Sequence, residues 1–356
     1  MASPYAAPTL SSARAAGHVA LAILAAVAAA ACNVSVGEGG TADAGHWSDA
    51  GNHPPTGSGS GAHDAGGGAH DAGPANPGPD GGGAPGDASG GGDAAPSADA
   101  GDPNLPGWTL TWHDEFDLPD GSGVDTSKWT QETGNSGWGY NHERQYYTPG
   151  TQNAVIQGGN LVITATPKGA SSLQCEYGTC EYTSARMNTQ GIFEQKYGRF
   201  EARIQLPTGQ GMWPAFWILG NDVGNVGWPQ CGEVDIMENV GSTPSTNYGS
   251  LHGPGYSGGQ DITGSYTMKG GTLADGFHVY ALEWDATGVR FYFDAVNYET
   301  RGPADVPQGD KWVYDHPFFV ILDFAVGGYW PGDPDGTTTF PQTMRVDYVR
   351  VYSKGP

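Results

Sequence analysis

Basic residues and long apolar runs are both scarce in this sequence. Only 15 of its 356 residues are Lys or Arg, against 38 Asp and Glu, so the formal net charge is −23. A nucleic-acid-binding surface needs clustered Lys and Arg to neutralise phosphates, and we therefore expect no nucleic-acid partner. The apolar run at residues 19–31 is too short to span a bilayer comfortably, which argues against a membrane-spanning helix there.

Helical periodicity is also missing. No long stretch carries apolar residues at helical spacing with capping residues, and no Gly-rich phosphate loop stands between a strand and a helix, so we expect no nucleotide chemistry. Short runs of strand-forming residues recur instead, separated by Gly, Pro, Asn and Asp, and residues 199–206 alternate clearly between apolar and polar side chains. Many short strands over about 250 residues predict an antiparallel all-β sandwich or barrel.

The first 32 residues have the features of an export signal. Arg14 and His18 precede the apolar run, and small residues stand directly before Cys32 in a pattern that resembles a bacterial lipobox. We expect Cys32 to be lipidated, the alternative being an ordinary signal cleavage site with an incidental Cys. Either interpretation predicts an exported protein, as a cell-envelope lipoprotein or a secreted one, whose only membrane contact is the lipid anchor.

The rest of the chain divides into two segments of different composition. Residues 33–105 hold 21 of the 59 Gly and no Lys or Arg, so they cannot bury enough apolar surface to fold and are predicted to be a disordered linker. Residues 106–356 hold ten of the eleven Trp and are predicted to be one folded domain. We expect this domain to be a monomer.

Three Cys fall within the predicted domain. Cys175 and Cys180 enclose four residues, and in an exported protein we expect them to form a small-loop disulfide that contributes about 2 kcal/mol. A zinc site is not expected, because further ligands at the required spacing are missing. Cys231 has no His or other base near it in sequence, so a buried apolar role is favoured over a nucleophilic one.

One predicted strand, residues 232–240, concentrates acidic side chains. Regular alternation places Glu233 and Asp235 on one face and Glu238 on the other, but a one-residue bulge at 236–237 would return Glu238 to the shared face. The outer carboxyl groups would then lie roughly 5 to 6 Å apart, as in a retaining glycosidase. Repulsion among the three acids would raise at least one pKa, as a general acid near neutral pH requires.

Two other interpretations of this strand are open. An acidic cluster can bind Ca²⁺, but calcium loops take their ligands from flexible turns and not from a strand bounded by apolar residues. A plain solvated strand face would not be preceded by Trp213 and Trp217. Catalysis is therefore the favoured interpretation.

These acids lie in a pattern, Glu-x-Asp-x-x-Glu, that resembles the signature of glycoside hydrolase family 16, in its laminarinase-like β-glucanase subgroup. The resemblance extends over residues 108–356. It implies a β-jelly-roll sandwich whose concave sheet forms an open substrate cleft. The segments that carry it are 112–116, 138–143, 145–148, 197–203, 213–219, 232–239 and 346–352.

The resemblance also implies roles for individual residues. Glu233 matches the family nucleophile, Glu238 the acid/base, and Asp235 the residue that assists the nucleophile. Compared with lichenases, the pattern is one residue longer, at Met237, which favours laminarinases. Asp323 stands where the family usually has Asn. Predicted cleft residues that bind sugar are Trp138, Asn141, Arg186, Trp213, Trp217 and His252.

A metal site is implied by the resemblance alone. Glu115, the carbonyl group of Gly159 and Asp347 match positions that hold a structural Ca²⁺ in many relatives. The alternative is that the two carboxylates pair with Arg or cap turns. No cofactor is expected for catalysis.

The sequence therefore predicts a retaining, endo-acting hydrolase of β-1,3 or mixed β-1,3-1,4 glucans. A neutral polysaccharide needs no counter-charge, which agrees with the acidic composition. Two alternatives are open: an agarase- or carrageenase-type galactan hydrolase that uses the same machinery, and a non-hydrolytic glucan-binding protein.

Overall fold

A computed structural model describes residues 103–135 and 141–355. The predicted export signal with Cys32, nearly all of the predicted linker and the cleft residue Trp138 lie outside the described residues. Within the described ranges, no helix is long and apolar enough to cross a membrane.

The described residues form nineteen strands, one short helix and three 3-10 turns. The helix, α1, is Val223–Val226, and the 3-10 turns are Ala170–Ser172, Gly258–Gln260 and Pro303–Asp305. The strands are β1 (Trp108–Asp114), β2 (Thr130–Glu132), β3 (Gln145–Tyr147), β4 (Ala154–Ile156), β5 (Leu161–Ala165), β6 (Gln174–Cys175), β7 (Gly178–Thr179), β8 (Tyr182–Ser184), β9 (Arg186–Asn188), β10 (Gly198–Gln205), β11 (Met212–Gly220), β12 (Glu233–Glu238), β13 (Thr246–His252), β14 (Ile262–Thr267), β15 (His278–Asp285), β16 (Gly288–Phe293), β17 (Val296–Arg301), β18 (Phe318–Val326) and β19 (Gln342–Lys354).

Two large antiparallel sheets make up the domain, so the predicted all-β sandwich is confirmed. Sheet A has the order β17-β16-β15-β10-β19-β5-β4, with β1 also paired to β19. Sheet B has the order β14-β13-β12-β11-β18-β9-β2. Two small sheets, β3 with β8 and β6 with β7, lie beside them.

The core lies between the sheets and is rich in aromatic and branched side chains. Phe200 and Phe291 of sheet A and Phe216 and Phe324 of sheet B are all fully buried in one apolar cluster. Burial of each such side chain contributes about 1.5 to 3 kcal/mol. The core therefore fixes sheet B as a platform whose other face carries polar side chains.

Strand β10 shows the alternation predicted for residues 199–206, but both of its faces are buried. Phe200 faces the core, while Arg199 and Glu201 are buried on the opposite face. The Arg199 guanidinium lies 2.7 Å from Glu201 and 3.2 Å from Glu283, so the charges compensate one another. Polar alternation therefore marks an ion-paired face here and not a solvated one.

The cysteines of the domain take up the two expected environments. Cys175 and Cys180 form a disulfide across the β6–β7 hairpin. Cys231 is not part of a disulfide and is fully buried, two residues before β12.

Candidate active site

Strand β12 lies inside sheet B, between β11 and β13, and it contains the bulge expected from its sequence. Trp217 of β11 is opposite Asp235, whereas its neighbour Phe216 is opposite Met237, so Ile236 is the extra residue. The pairing with β13 shifts over the same stretch. The predicted bulge is thus confirmed.

The bulge sorts the side chains of β12 into two sets. Val234, Ile236 and Met237 are buried in the apolar core between the sheets. Because two successive residues, Ile236 and Met237, both enter the core, Glu238 returns to the face that carries Glu233 and Asp235. The three carboxyl groups therefore share the outer face of sheet B.

Two indole groups hold Glu233 and Glu238, the acids at the two ends of β12. Trp228 Nε1 donates a hydrogen bond to Glu233 Oε2 at 3.1 Å, and Trp213 Nε1 donates one to Glu238 Oε1 at 2.9 Å. Each acid keeps its second oxygen for other partners. Trp228 was not among the predicted site residues; the only signal in the sequence is its place five residues before Glu233.

His252 of β13 faces two of the three acids, Asp235 and Glu233. Its Nε2 lies 2.9 Å from Asp235 Oδ2 and 3.8 Å from Glu233 Oε1. Ligand atoms of these three residues all lie within 4.8 Å of one another, which makes them the one group of His, Cys, Asp and Glu in the described ranges that could hold a metal ion. The same side chains are those predicted for catalysis.

Burial and mutual repulsion shift the protonation of all three acids upward. Burial, reinforced by the charge of Asp235, raises the pKa of Glu233 to about 8. Burial raises the pKa of Asp235 and of Glu238 well above the ordinary range, with Asp261 and Asp323 adding to the effect on Asp235, and Asp235 to that on Glu238. The raised pKa values favour protonated carboxyl groups in this cluster near neutral pH, which is what a general acid needs.

The pH dependence of kcat/KM should reflect the raised pKa of Glu233. Glu233 must be ionised to attack, and because its pKa is raised, activity is lost as the pH falls through a value well above the 4.5 of an ordinary Glu. Trp228→Phe removes the N–H that stabilises the carboxylate, so it should raise this pKa and move the acid limb to higher pH. A pH series on a soluble glucan measures both limbs. Acid limbs near 4.5 for both proteins would contradict the assignment.

A second group of side chains lies on β11, β18 and β9. Trp217 Nε1 donates a hydrogen bond to Asp323 Oδ1 at 2.7 Å, and the Tyr147 hydroxyl donates one to Asp323 Oδ2 at 3.1 Å. The Arg186 guanidinium lies 4.9 Å from the Trp217 ring centre and is paired with Glu132. Two predicted sugar-binding residues, Arg186 and Trp217, therefore adjoin, and Asp323 fixes the indole.

Another buried acid, Glu143, adjoins this group. It accepts hydrogen bonds from Gln145 at 2.6 Å and from the predicted cleft residue Asn141 at 3.5 Å. Burial, with a smaller contribution from Asp323, raises the pKa of Glu143 to about 7. Sequence reasoning missed Glu143, although it belongs to the 141–143 segment that carries the family resemblance.

The predicted calcium ligands are engaged with arginines. Glu115 contacts Arg350 through both carboxylate oxygens, at 2.9 and 2.7 Å, and Asp347 lies 2.7 Å from Arg203. Calcium prefers several oxygens whose charge is not already compensated, so this donor set does not fit a calcium ion in the arrangement seen. This pairing matches the stated alternative. The calcium site stays a prediction, testable by thermal unfolding with Ca²⁺ or chelator, and no catalytic step depends on it.

Comparison with known proteins links this geometry to one family. The sequence model for glycosyl hydrolases family 16 matches residues 141–350. The chain is 42% identical to the beta-glucanase of Rhodothermus marinus over 265 residues, which are 69% of this chain and 86% of the relative. It is 37% identical to glucan endo-1,3-beta-glucosidase A1 of Niallia circulans, spanning 71% of this chain but only 39% of that longer protein.

Solved structures with a similar fold are named for the same activity as the sequence relatives. The catalytic domain of the endo-1,3-beta-glucanase (laminarinase) of Thermotoga petrophila is 47% identical, with a TM-score of 0.65, over 70% of this chain and 99% of that domain. The jelly-roll form of the sandwich, expected from the sequence, is thereby confirmed.

Proposed function

The protein belongs to family 16 of the glycosyl hydrolases. From this membership we infer that it hydrolyses β-1,3 or mixed β-1,3-1,4 glucans at internal bonds of the polysaccharide, with retention of configuration. One observation supports the mechanism most strongly. Glu233, Asp235 and Glu238 share one face of a bulged strand, and indole N–H groups hold the outer two acids. Catalysis of this type needs no cofactor.

In the first step, the Glu233 carboxylate attacks the anomeric carbon while Glu238 donates its proton to the glycosidic oxygen. The bond between this carbon and oxygen breaks, the leaving sugar departs with a free hydroxyl group, and Glu233 becomes a glycosyl ester. In the second step, Glu238 accepts a proton from water. The resulting hydroxide attacks the same carbon, and the ester bond breaks to return the Glu233 carboxylate.

Asp235 is placed to balance charge between these steps. Its raised pKa favours a protonated Asp235 while Glu233 is anionic, and His252 Nε2 lies 2.9 Å from its carboxyl group. When Glu233 becomes an uncharged ester, the repulsion falls and Asp235 can ionise. The number of negative charges in the group thus stays nearly constant through the cycle.

A substrate panel tests the proposed function. We expect the purified domain to release reducing sugar from laminarin and lichenan, and none from agarose or carrageenan, because the two relatives described above are named for β-glucans. A Glu233→Gln preparation controls for contaminating hydrolases. Release from the galactans alone would identify a galactan hydrolase, and glucan binding without any release would identify a non-hydrolytic binding protein.

We further propose that residues 1–32 export the chain, that residues 33–105 tether it and that residues 106–356 form the catalytic unit. The support is compositional, since the signal has an apolar run before Cys32 and the linker has no Lys or Arg. The mature protein is then a monomeric cell-envelope lipoprotein or a secreted enzyme. Mass spectrometry of the mature N-terminus should show acylated Cys32; a protein starting beyond it, without lipid, would contradict anchoring.

A further inference from the structure

The loop that follows β18 places a half-exposed aromatic side chain against the support of the general acid. We call residues 327–333 the aromatic loop, after Trp330. The Trp330 ring meets Trp213 and Tyr248 edge-on, with ring centres 5.4 and 5.3 Å apart. The Trp213 indole in turn donates its hydrogen bond to Glu238. The position of the aromatic loop therefore affects the surroundings of Glu238.

Asp333 closes the aromatic loop on itself. Its carboxylate accepts a hydrogen bond from the Gly328 N–H, and the Gly332 N–H donates one to the Gly328 carbonyl at 3.0 Å. The loop begins with Gly327 and Gly328, whose φ angles are 72° and 117°. A Cβ atom at position 327 would lie only 2.6 Å from Arg144 Cγ. Glycine is required here because the chain turns tightly against Arg144.

Arg144, directly before β3, holds both ends of the aromatic loop. Its guanidinium contacts both carboxylate oxygens of Asp333, through Nε at 3.1 Å and Nη2 at 2.8 Å. Such a two-point contact fixes orientation as well as distance, which a Lys ammonium group cannot do. The Arg144 N–H also donates to the carbonyl of Val326, the last residue of β18, at 2.7 Å. Gln210 adds a neutral anchor, with a hydrogen bond to the Pro331 carbonyl at 2.6 Å.

The hairpin β6–β7, which the disulfide closes, holds Arg144 in place. The Tyr177 hydroxyl, at the turn of this hairpin, donates a hydrogen bond to the Arg144 carbonyl at 2.5 Å and accepts one from the Glu181 N–H at 2.9 Å. The guanidinium carbon of Arg144 lies 5.0 Å from the centre of the Tyr177 ring, within the range of a cation–π contact. Arg144 is therefore fixed between the hairpin and the aromatic loop.

Building on the function inferred above, we propose that Arg144 is a positioning residue for the general acid. It holds the aromatic loop through Asp333, the loop holds Trp330 against Trp213, and Trp213 holds Glu238. Proton transfer depends steeply on the placement of the acid, so a small shift of the indole lowers the rate. Because partly exposed ion pairs contribute little to the free energy of unfolding, positioning explains this contact better than stability does.

Two substrates with different needs for a proton test the proposal. Arg144→Gln should lower kcat/KM on laminarin about 5- to 10-fold, because a displaced Glu238 protonates the leaving oxygen less efficiently. On an aryl β-laminaribioside whose phenol leaves without a proton, the loss should stay below about 2-fold. Arg144→Lys keeps the charge but not the two-point contact, so its loss on laminarin should be smaller.

Asp333→Asn tests the same contact from the loop. Asn keeps an oxygen for the Gly328 N–H, so the turn should stay intact while the selective loss on laminarin is reproduced. The double variant Arg144→Gln/Asp333→Asn should lose no more than either single variant, since all three remove one contact.

A matched control separates positioning from the loss of a surface charge. Arg290→Gln removes a partly exposed ion pair with Asp285 on sheet A and should leave both rates unchanged. Equal losses on both substrates, additive losses in the double variant, or no loss on laminarin would overturn the proposal while the proposed function stands. If the parent enzyme hydrolyses neither substrate, the proposed function fails, and the positioning role of Arg144 fails with it.

Discussion

Glu233→Gln should reduce kcat on laminarin by at least about 1,000-fold, because an amide cannot attack the anomeric carbon. The fold should be kept, since Gln has nearly the same shape and its amide oxygen can still accept the hydrogen bond from Trp228. Initial rates with and without the substitution measure the effect. The matched control is Glu176→Gln, an exposed Glu on the β6–β7 hairpin, which should keep full activity.

Chemical rescue makes this prediction specific to a nucleophile. Glu233→Ala leaves space beside the anomeric carbon, so added azide should restore cleavage of an activated aryl glycoside and yield a glycosyl azide of inverted configuration. A residue that only supports the fold would show no rescue. Full hydrolysis of laminarin by a pure Glu233→Gln sample would contradict the proposed mechanism.

Glu238→Gln should have the second-largest effect and a different signature. Loss of general acid catalysis should lower kcat/KM on laminarin about 100- to 10,000-fold. An aryl glycoside with a good leaving group needs no proton, so its kcat/KM should fall far less. The alkaline limb of the pH profile, which reports the ionisation of Glu238, should disappear.

Pre-steady-state kinetics provide the control for Glu238. Without a general base, the second step is slow, so the aryl substrate should give a burst of one phenol per enzyme. Equal losses of kcat/KM on both substrates, without a burst, would mean that Glu238 does not transfer the proton.

Much of this site follows from the local sequence. The spacing of Glu233, Asp235 and Glu238 makes sense on one face only if the strand contains a bulge, and the structure has the extra residue at Ile236. Alternation in residues 199–206 likewise identifies a strand, because the period of two is a local property. Such features depend only on neighbouring residues.

Other features depend on pairings between distant segments. Glu115 contacts Arg350 across 235 positions, and Trp217 contacts Asp323 across 106. The order of strands in each sheet decides these partners, and composition does not specify that order. Trp228 was missed for a related reason, since the loop before β12 must fold back to bring its indole to Glu233.

The central claim is that Glu233 forms a covalent glycosyl ester during hydrolysis, and trapping that ester tests it most directly. A 2-deoxy-2-fluoro-laminaribiosyl fluoride should inactivate the enzyme and add one fluorinated disaccharide, detected by mass spectrometry of the intact protein. Peptide mapping should place the adduct on Glu233. An adduct on Asp235 or Glu238, or inactivation-resistant enzyme that carries no adduct while it hydrolyses laminarin, would contradict the account.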